Sequence, residues 1–174
     1  FVDQAEGHVK KSSYEVLTYG AKLAEQLGTV AEALVLGKVS DNLSTLGKYG
    51  VTKVHQVNND ILNNLDAQLY AQIIADAATG LGATVVVFSH NHTGKAVAAM
   101  LAVRLKAGLV TGAIALPDTT NGFVVKKSVF SGKAFANVNI SSAVKVISLN
   151  PNSFHVASGE GNAEVLPLGI TPST

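Results

Sequence analysis

Residues 84–88 read Thr-Val-Val-Val-Phe, a β-branched and aromatic run with no polar alternation. A strand that faces solvent on one side alternates, so a continuous apolar run predicts a strand covered on both faces, the central position of a parallel sheet. The segments around it fit that position. Val16, Leu17, Gly20, Leu23, Ala24 and Leu27 recur at offsets of three and four, the period of a helix, with Ser12 or Ser13 as its cap and Gly28 as its terminator. A strand over 31–36, a short helix over 41–48 and a strand over 53–57 anchored by Val54 and Val57 follow. A second helix spans 65–78, with Leu69, Ile73, Ile74 and Ala77 on its stripe, Asp66 in its first turn, and Gly80 and Gly82 at its end. Beyond the central run, residues 94–105 read as a third helix with Val97, Met100, Leu101 and Leu105 on one face. An apolar segment over 109–116 comes next. Alternating β and α units of this kind predict a three-layer, doubly wound α/β fold with a mostly parallel sheet.

After Pro117 the rhythm changes. Residues 123–130 and 134–140 are two strand-like runs separated by Ser131, Gly132 and Lys133, which predicts a β-hairpin near the C-terminal end. A last strand is expected over 144–149. From Asn150 onward come three of the four prolines together with Gly159, Gly161 and Gly169, and no helical period, a linker-like composition. The expected organisation is therefore one α/β domain over 1–155 and a linker over 156–174.

Composition narrows the function classes. No apolar run approaches the roughly 20 residues of a membrane span. Net charge is +1 and Arg104 is the sole arginine, so the clustered basic footprint of a nucleic-acid binder is missing. Cysteine is absent, which removes disulfides, thiolate metal sites and cysteine nucleophiles together.

Ligands of doubly wound sheets sit outside the carboxyl ends of strands. The candidate site is thus the connector after the central strand: Ser89, His90, Asn91, His92, Thr93, Gly94 and Lys95. Gly94 and Lys95 open a helix as in a phosphate loop, but the first glycine of that motif is missing and Ala96 replaces the magnesium-binding hydroxyl. His90 and His92 could ligate a metal, yet His8, His55 and His155 lie at no recognisable ligand spacing. The plain reading is a polar connector in which Thr93 caps the helix. A Gly-x-Ser-x-Gly elbow and a Gly-x-Gly-x-x-Gly fingerprint are both missing, and Gly80-Leu81-Gly82 precedes a strand where the fingerprint would follow one. Asp60 and Asp66 read as loop or cap residues, and Lys126 with Lys127 as a solvated strand edge. No catalytic set and no metal site are expected.

The stretch FSHNHTGKAVAAMLAVRLKAGLVTGAIALP, followed by VFSGKAFANV and VKVISLNPNSF, resembles the amino-terminal domain of the electron transfer flavoprotein alpha subunit. Gly94-Lys95 stands where that family has a Gly-[Arg/Lys] pair opening a helix. Ala102-Val103-Arg104-Leu105 matches its Ala-Ala-Arg-Leu-like run, Gly108-Leu109 its next strand start, and Phe130-Ser131-Gly132-Lys133-Ala134 its later Tyr-x-Gly-[Asn/Lys]-Ala signature. The chain departs from the family at Thr111-Gly112, where an acidic residue often follows, and at Asn150, where an arginine is common. The resemblance implies an adenine nucleotide alpha hydrolase-like fold and a scaffold that docks a beta subunit in a heterodimer. It further implies electron transport from acyl-CoA dehydrogenases or related flavoenzymes, as in fatty acid beta-oxidation, in the bacterial cytoplasm or the mitochondrial matrix. The FAD would be bound mainly by a second domain whose motifs lie beyond these residues, so none of the connector residues is assigned to it. The alternative is a free-standing nucleotide-binding domain of the universal-stress-protein kind. That would need a G-x-x-G and G-[ST] phosphate loop late in the chain, and residues 108–150 lack one. A small hydrolase would need an activated nucleophile near His90 or His92.

Overall fold

The computed structural model describes residues 1–173; Thr174, the last residue of the expected linker, lies outside them. The chain opens with a leading segment, Phe1–Val2, and a two-stranded turn, β1 (Gln4–Ala5) with β2 (His8–Val9). Then come α1 (Lys11–Gln26), β3 (Glu32–Leu36), a 3-10 turn (Leu43–Tyr49), β4 (Lys53–Val57), α2 (Ala67–Leu81), β5 (Val85–Ser89), α3 (His92–Leu105) and β6 (Gly108–Ala113). The remaining strands are β7 (Val124–Val129), β8 (Ala134–Asn139), β9 (Lys145–Leu149) and β10 (Glu164–Pro167).

Strands β10, β4 and β3 pair in parallel, and so do β5, β9 and β6; β7 and β8 continue the second group antiparallel. The leading segment joins the two groups. Val2 bridges Val35 in parallel and donates its N–H to the Leu34 carbonyl at 2.9 Å, while the Phe1 amino group donates to the Val87 carbonyl at 2.7 Å. The spatial order is β10-β4-β3-leading segment-β5-β9-β6-β7-β8. The run at 84–88 therefore lies in the middle of the sheet, with Val86, Val87 and Phe88 buried.

Both faces are covered. On one, α1 sets Val16, Tyr19 and Leu23 against Val87, Val110 and Ile147, and Leu17 against Val35 and Val54. On the other, α2 and α3 bury Ile73, Ile74, Val97 and Leu101 against Phe88 and Val146. Fully burying a side chain of this size stabilises by about 1.5–3 kcal/mol, so each stripe holds its helix to the sheet.

Several local expectations give way to longer-range contacts. Lys10, with no side-chain cap bond, stands at the start of α1; Ser13 Oγ accepts instead from the Asp3 N–H at 2.9 Å and donates to the Asp3 carbonyl. Gly28 does take the left-handed conformation, φ 72°. Asp66 sits one residue before α2 and accepts from the Leu69 N–H, and Gly82, not Gly80, ends that helix with φ 68°. Met100 is 40% exposed, because Ala98 and Ala102 complete the buried face of α3 in its place. Lys126 and Lys127 lie on β7, an internal strand, and β8 forms the edge. The stretch after Asn150 contributes one more strand, β10, paired from Glu164↔Lys53 to Pro167↔Gln56.

Candidate functional site

The strand order reverses between the leading segment and β5: from Phe1–Val2 the chain moves outward through β3 and β4, then returns by α2 to the other side. That reversal is where doubly wound folds open a ligand crevice beyond the carboxyl ends of the two strands. Here Asp3 follows the first strand and the segment from His90 to Lys95 follows the second.

The crevice is filled by the chain's own groups. Asp3 is 6% exposed, and its Oδ2 meets Lys10 Nζ at 2.8 Å and accepts from Asn91 Nδ2 at 3.1 Å. The same Asn91 amide reaches Ser12 Oγ at 3.3 Å, and Asn91 Oδ1 accepts from the Gly94 N–H at 3.0 Å. Asn91, then, is the cap of α3, and Thr93, buried in its first turn, is not. Asparagine caps by accepting an otherwise orphaned helix N–H, the donor a phosphate would use. Gly94 is required for a different reason. A Cβ on it would lie 1.8 Å from the Ser89 carbonyl oxygen, so only glycine lets α3 pack this close to the end of β5.

His90 turns away from that crevice. Its N–H donates to the Leu149 carbonyl at 2.7 Å, and its Nδ1 lies 3.0 Å from Ser148 Oγ, which also accepts from the Gly112 N–H at 3.3 Å. Desolvation, reinforced by Lys95 and Lys127, pushes the His90 pKa below the ordinary value, so near neutral pH the ring is uncharged. Ser148 is the hydroxyl a hydrolase reading asks for near His90. It is fully buried, out of reach of a substrate carbonyl. His92 and Lys95 are exposed on α3, and Lys127 Nζ donates to Thr111 Oγ1 at 3.3 Å.

The other histidines are dispersed. His8 pairs with Asp41 at 3.0 Å and His55 with Glu32 at 3.3 Å, both away from His90. Among the described residues no three His, Asp or Glu side chains come together as metal ligands. The residues 89–95 are thus gathered at one sheet end but divided between two networks, one through Asn91 and one through His90. Sequence reasoning missed the partners in both: Asp3, Lys10 and Ser12 in the first, Ser148, Gly112 and Lys127 in the second. The position of Asp3, directly after the apolar pair Phe1–Val2, was the one signal available.

Asn91 occupies the Gly94 N–H, the helix donor that an anionic ligand would use at this crevice. Fold and site together define a doubly wound α/β domain whose switch-point crevice is sealed from within. Comparison with known proteins supplies the family. The electron transfer flavoprotein domain matches residues 1–168, and the chain belongs to that family. It is 27% identical to the electron transfer flavoprotein subunit alpha of Syntrophomonas wolfei, over 98% of this chain and 53% of that protein. The Bacillus subtilis subunit alpha is 25% identical over 95% of this chain and 52% of its own length. The acryloyl-CoA reductase electron transfer subunit beta of Anaerotignum propionicum is 26% identical over 71% of this chain. The chain spans about half the length of the alpha subunits it matches. No helix among the described residues is long and apolar enough to cross a membrane.

Proposed function

We propose that residues 1–155 are the scaffold domain of an electron transfer flavoprotein alpha subunit. This domain docks a beta subunit and carries a flavin-binding domain attached through residues 156–174. The assembled heterodimer accepts electrons from acyl-CoA dehydrogenases or related flavoenzymes on an FAD held outside these residues. The sealed crevice carries the reading: the groups that would cradle a pyrophosphate are spent on Asp3, Ser12, Lys10 and the α3 cap. The family match and the alpha-subunit relatives support the rest. In this reading the link to the flavin domain leaves from the β4 edge, where β10 pins its middle.

The test is spectroscopic, because the protein's contribution to a flavin is binding and orientation, while the absorbance between about 350 and 500 nm is the cofactor's own. The chain 1–174 is expected to purify colourless, and a full-length subunit produced with its beta partner to carry flavin. Stoichiometric flavin retained by the chain alone through gel filtration would overturn the scaffold role. Titration with Mg-ATP is expected to give no heat of binding; a clear isotherm would favour the stress-protein reading.

A further inference from the structure

The net charge of +1 hides an uneven distribution. Residues 77–159, which build β5, α3 and β6 to β9, hold seven lysine and arginine residues against one acidic residue, Asp118. Charge segregated in this way gives that half of the sheet a positive potential that draws anions. Three of its titratable groups, His90, Lys95 and Lys127, gather at the carboxyl ends of β5, β9 and β6, beyond the crevice that Asp3 and Asn91 seal.

No group of opposite sign balances them. Among the described residues neither lysine has a carboxylate within ion-pair distance; the ion pairs are His8 with Asp41, Lys10 with Asp3 and His55 with Glu32. Glu15 accepts from the Asn152 N–H at 2.9 Å and Asp118 from the Thr120 N–H at 3.0 Å, so both carboxylates are engaged elsewhere. Lys127 Nζ gives one of its three protons to Thr111 Oγ1, which leaves two for a further acceptor. The backbone makes room for one. β6 bulges between Thr111 and Ala113, and Gly112 at the bulge has φ 78°. Apart from its chain neighbours, a Cβ there would meet only the Ser128 carbonyl oxygen at 3.8 Å and Asn150 Oδ1 at 3.9 Å, so the space in front of Gly112 is unfilled. Bulges of this kind re-aim the chain beside binding sites. Like charges held together without a counter-charge destabilise one another, and a bound anion removes that repulsion.

We propose that the carboxyl ends of β5, β9 and β6 bind a phosphate-type oxyanion, held by the ammonium groups of Lys127 and Lys95 in the space before Gly112, with the Asn150 amide as a neutral donor. Two fixed charges, one on β7 and one on α3, suit a single phosphoryl group rather than a polyanion. His90 sits behind the site, its Nδ1 3.0 Å from Ser148 Oγ, and registers occupancy. Burial and the two lysines hold its pKa down, and a bound dianion offsets the lysines and raises it.

The experiment titrates the chain 1–174 with inorganic phosphate at low ionic strength, with chloride at matched ionic strength as the control, and follows the His90 ring by NMR. A saturable shift with a Kd on the order of 1 mM is expected, with the His90 pKa raised at saturation. Lys127→Met and, separately, Lys95→Met are each expected to weaken binding by about tenfold, and Lys127→Arg to retain it. Glucose 6-phosphate, titrated in parallel, separates the two sources of the anion: tighter binding than phosphate assigns the site to a phosphoryl group on a larger molecule, weaker binding to the free ion. A second test needs no ligand. Asn and Asp both tolerate positive φ, so Gly112→Asn and Gly112→Asp share the backbone cost and differ by one negative charge. Gly112→Asp is expected to stand in for the anion, raising the His90 pKa and abolishing phosphate binding, while Gly112→Asn leaves that pKa low. The proposal is overturned by the lack of a saturable shift, by a shift that chloride reproduces, or by equal His90 pKa values in the two Gly112 variants.

Discussion

Strands β5 and β8 show two ways of belonging to one sheet. β5, Val-Val-Val-Phe-Ser, is buried along nearly its whole length between α1 on one face and α2 with α3 on the other. β8, Ala-Phe-Ala-Asn-Val-Asn, alternates between half-buried and exposed residues and pairs on one side only, with β7. Phe135 on β8 is 59% exposed, and Phe130, in the turn that leads to it, 78%. In the first strand any added atom or charge meets packed neighbours. In the second it meets solvent. The difference predicts a steep gradient in tolerance from the sheet centre to its edge.

The largest effect is expected from charge at the centre. In a chain that begins at Phe1, the amino group beside β5 has a pKa of about 5 when folded, against an ordinary value of 8.0. Between those values the unfolded chain binds more protons, so stability rises with pH from 5 to 8, by as much as about 4 kcal/mol. Urea unfolding across that range measures the slope. His90, whose pKa is also lowered, adds to it in the same direction. Acetylation of Phe1 is expected to remove most of the slope; an unchanged slope would mean that the centre accommodates charge as the edge does.

Next comes volume. Gly94→Ala places a methyl group 1.8 Å from the Ser89 carbonyl oxygen and is expected to cost about 3 kcal/mol in denaturant unfolding, through forced separation of α3 from β5. Asn91→Ala removes the α3 cap and the partner of Asp3, for an expected loss of about 1–2 kcal/mol, whereas Thr93→Val, which removes the hydroxyl and keeps the shape, is expected to cost less. If the Thr93 substitution proved the more damaging, the capping assignment would be reversed.

At the edge the numbers shrink. Phe135→Ser gives up a contact with Lys126 Nζ, 4.7 Å from the ring centroid, and is expected to change stability by less than about 1 kcal/mol. Ser131 has φ 54°, left-handed backbone that costs a residue with a Cβ about 1 kcal/mol. Ser131→Gly is therefore expected to raise Tm slightly. A loss at either position larger than that of Asn91→Ala would break the gradient.

What could be read from the residues follows the same division between local and distant causes. The buried run at 84–88 is written in its own side chains, because a continuous apolar run needs no partner to be seen. The caps are not. Ser13 has the chemistry of a cap, but its hydroxyl serves the backbone of Asp3. Thr93 loses the role to Asn91, whose amide also spans to Asp3, 88 positions away in sequence. At the site, the segment from Ser89 to Lys95 was recognisable as a strand–helix connector, while its closure by Asp3, Lys10 and Ser12 arises only when the leading segment docks beside β5. Strand β10 is hidden for a related reason: its Val and Leu are too few to stand out among prolines and glycines, and the unpaired edge of β4 organises them.

The place of β9 has a bearing on how the molecule is made. Lys145–Leu149 inserts between β5 and β6, two strands completed well before it in synthesis. As the chain emerges from the ribosome, β5 and β6 exist first without the strand that joins them, each with a row of free amides on its inner side. The central sheet closes only when the 145–149 segment arrives, and until then those edges are open to the wrong neighbour. For this domain the hazard lies in the interval of translation between Ala113 and Leu149, and anything that slows the ribosome there lengthens it.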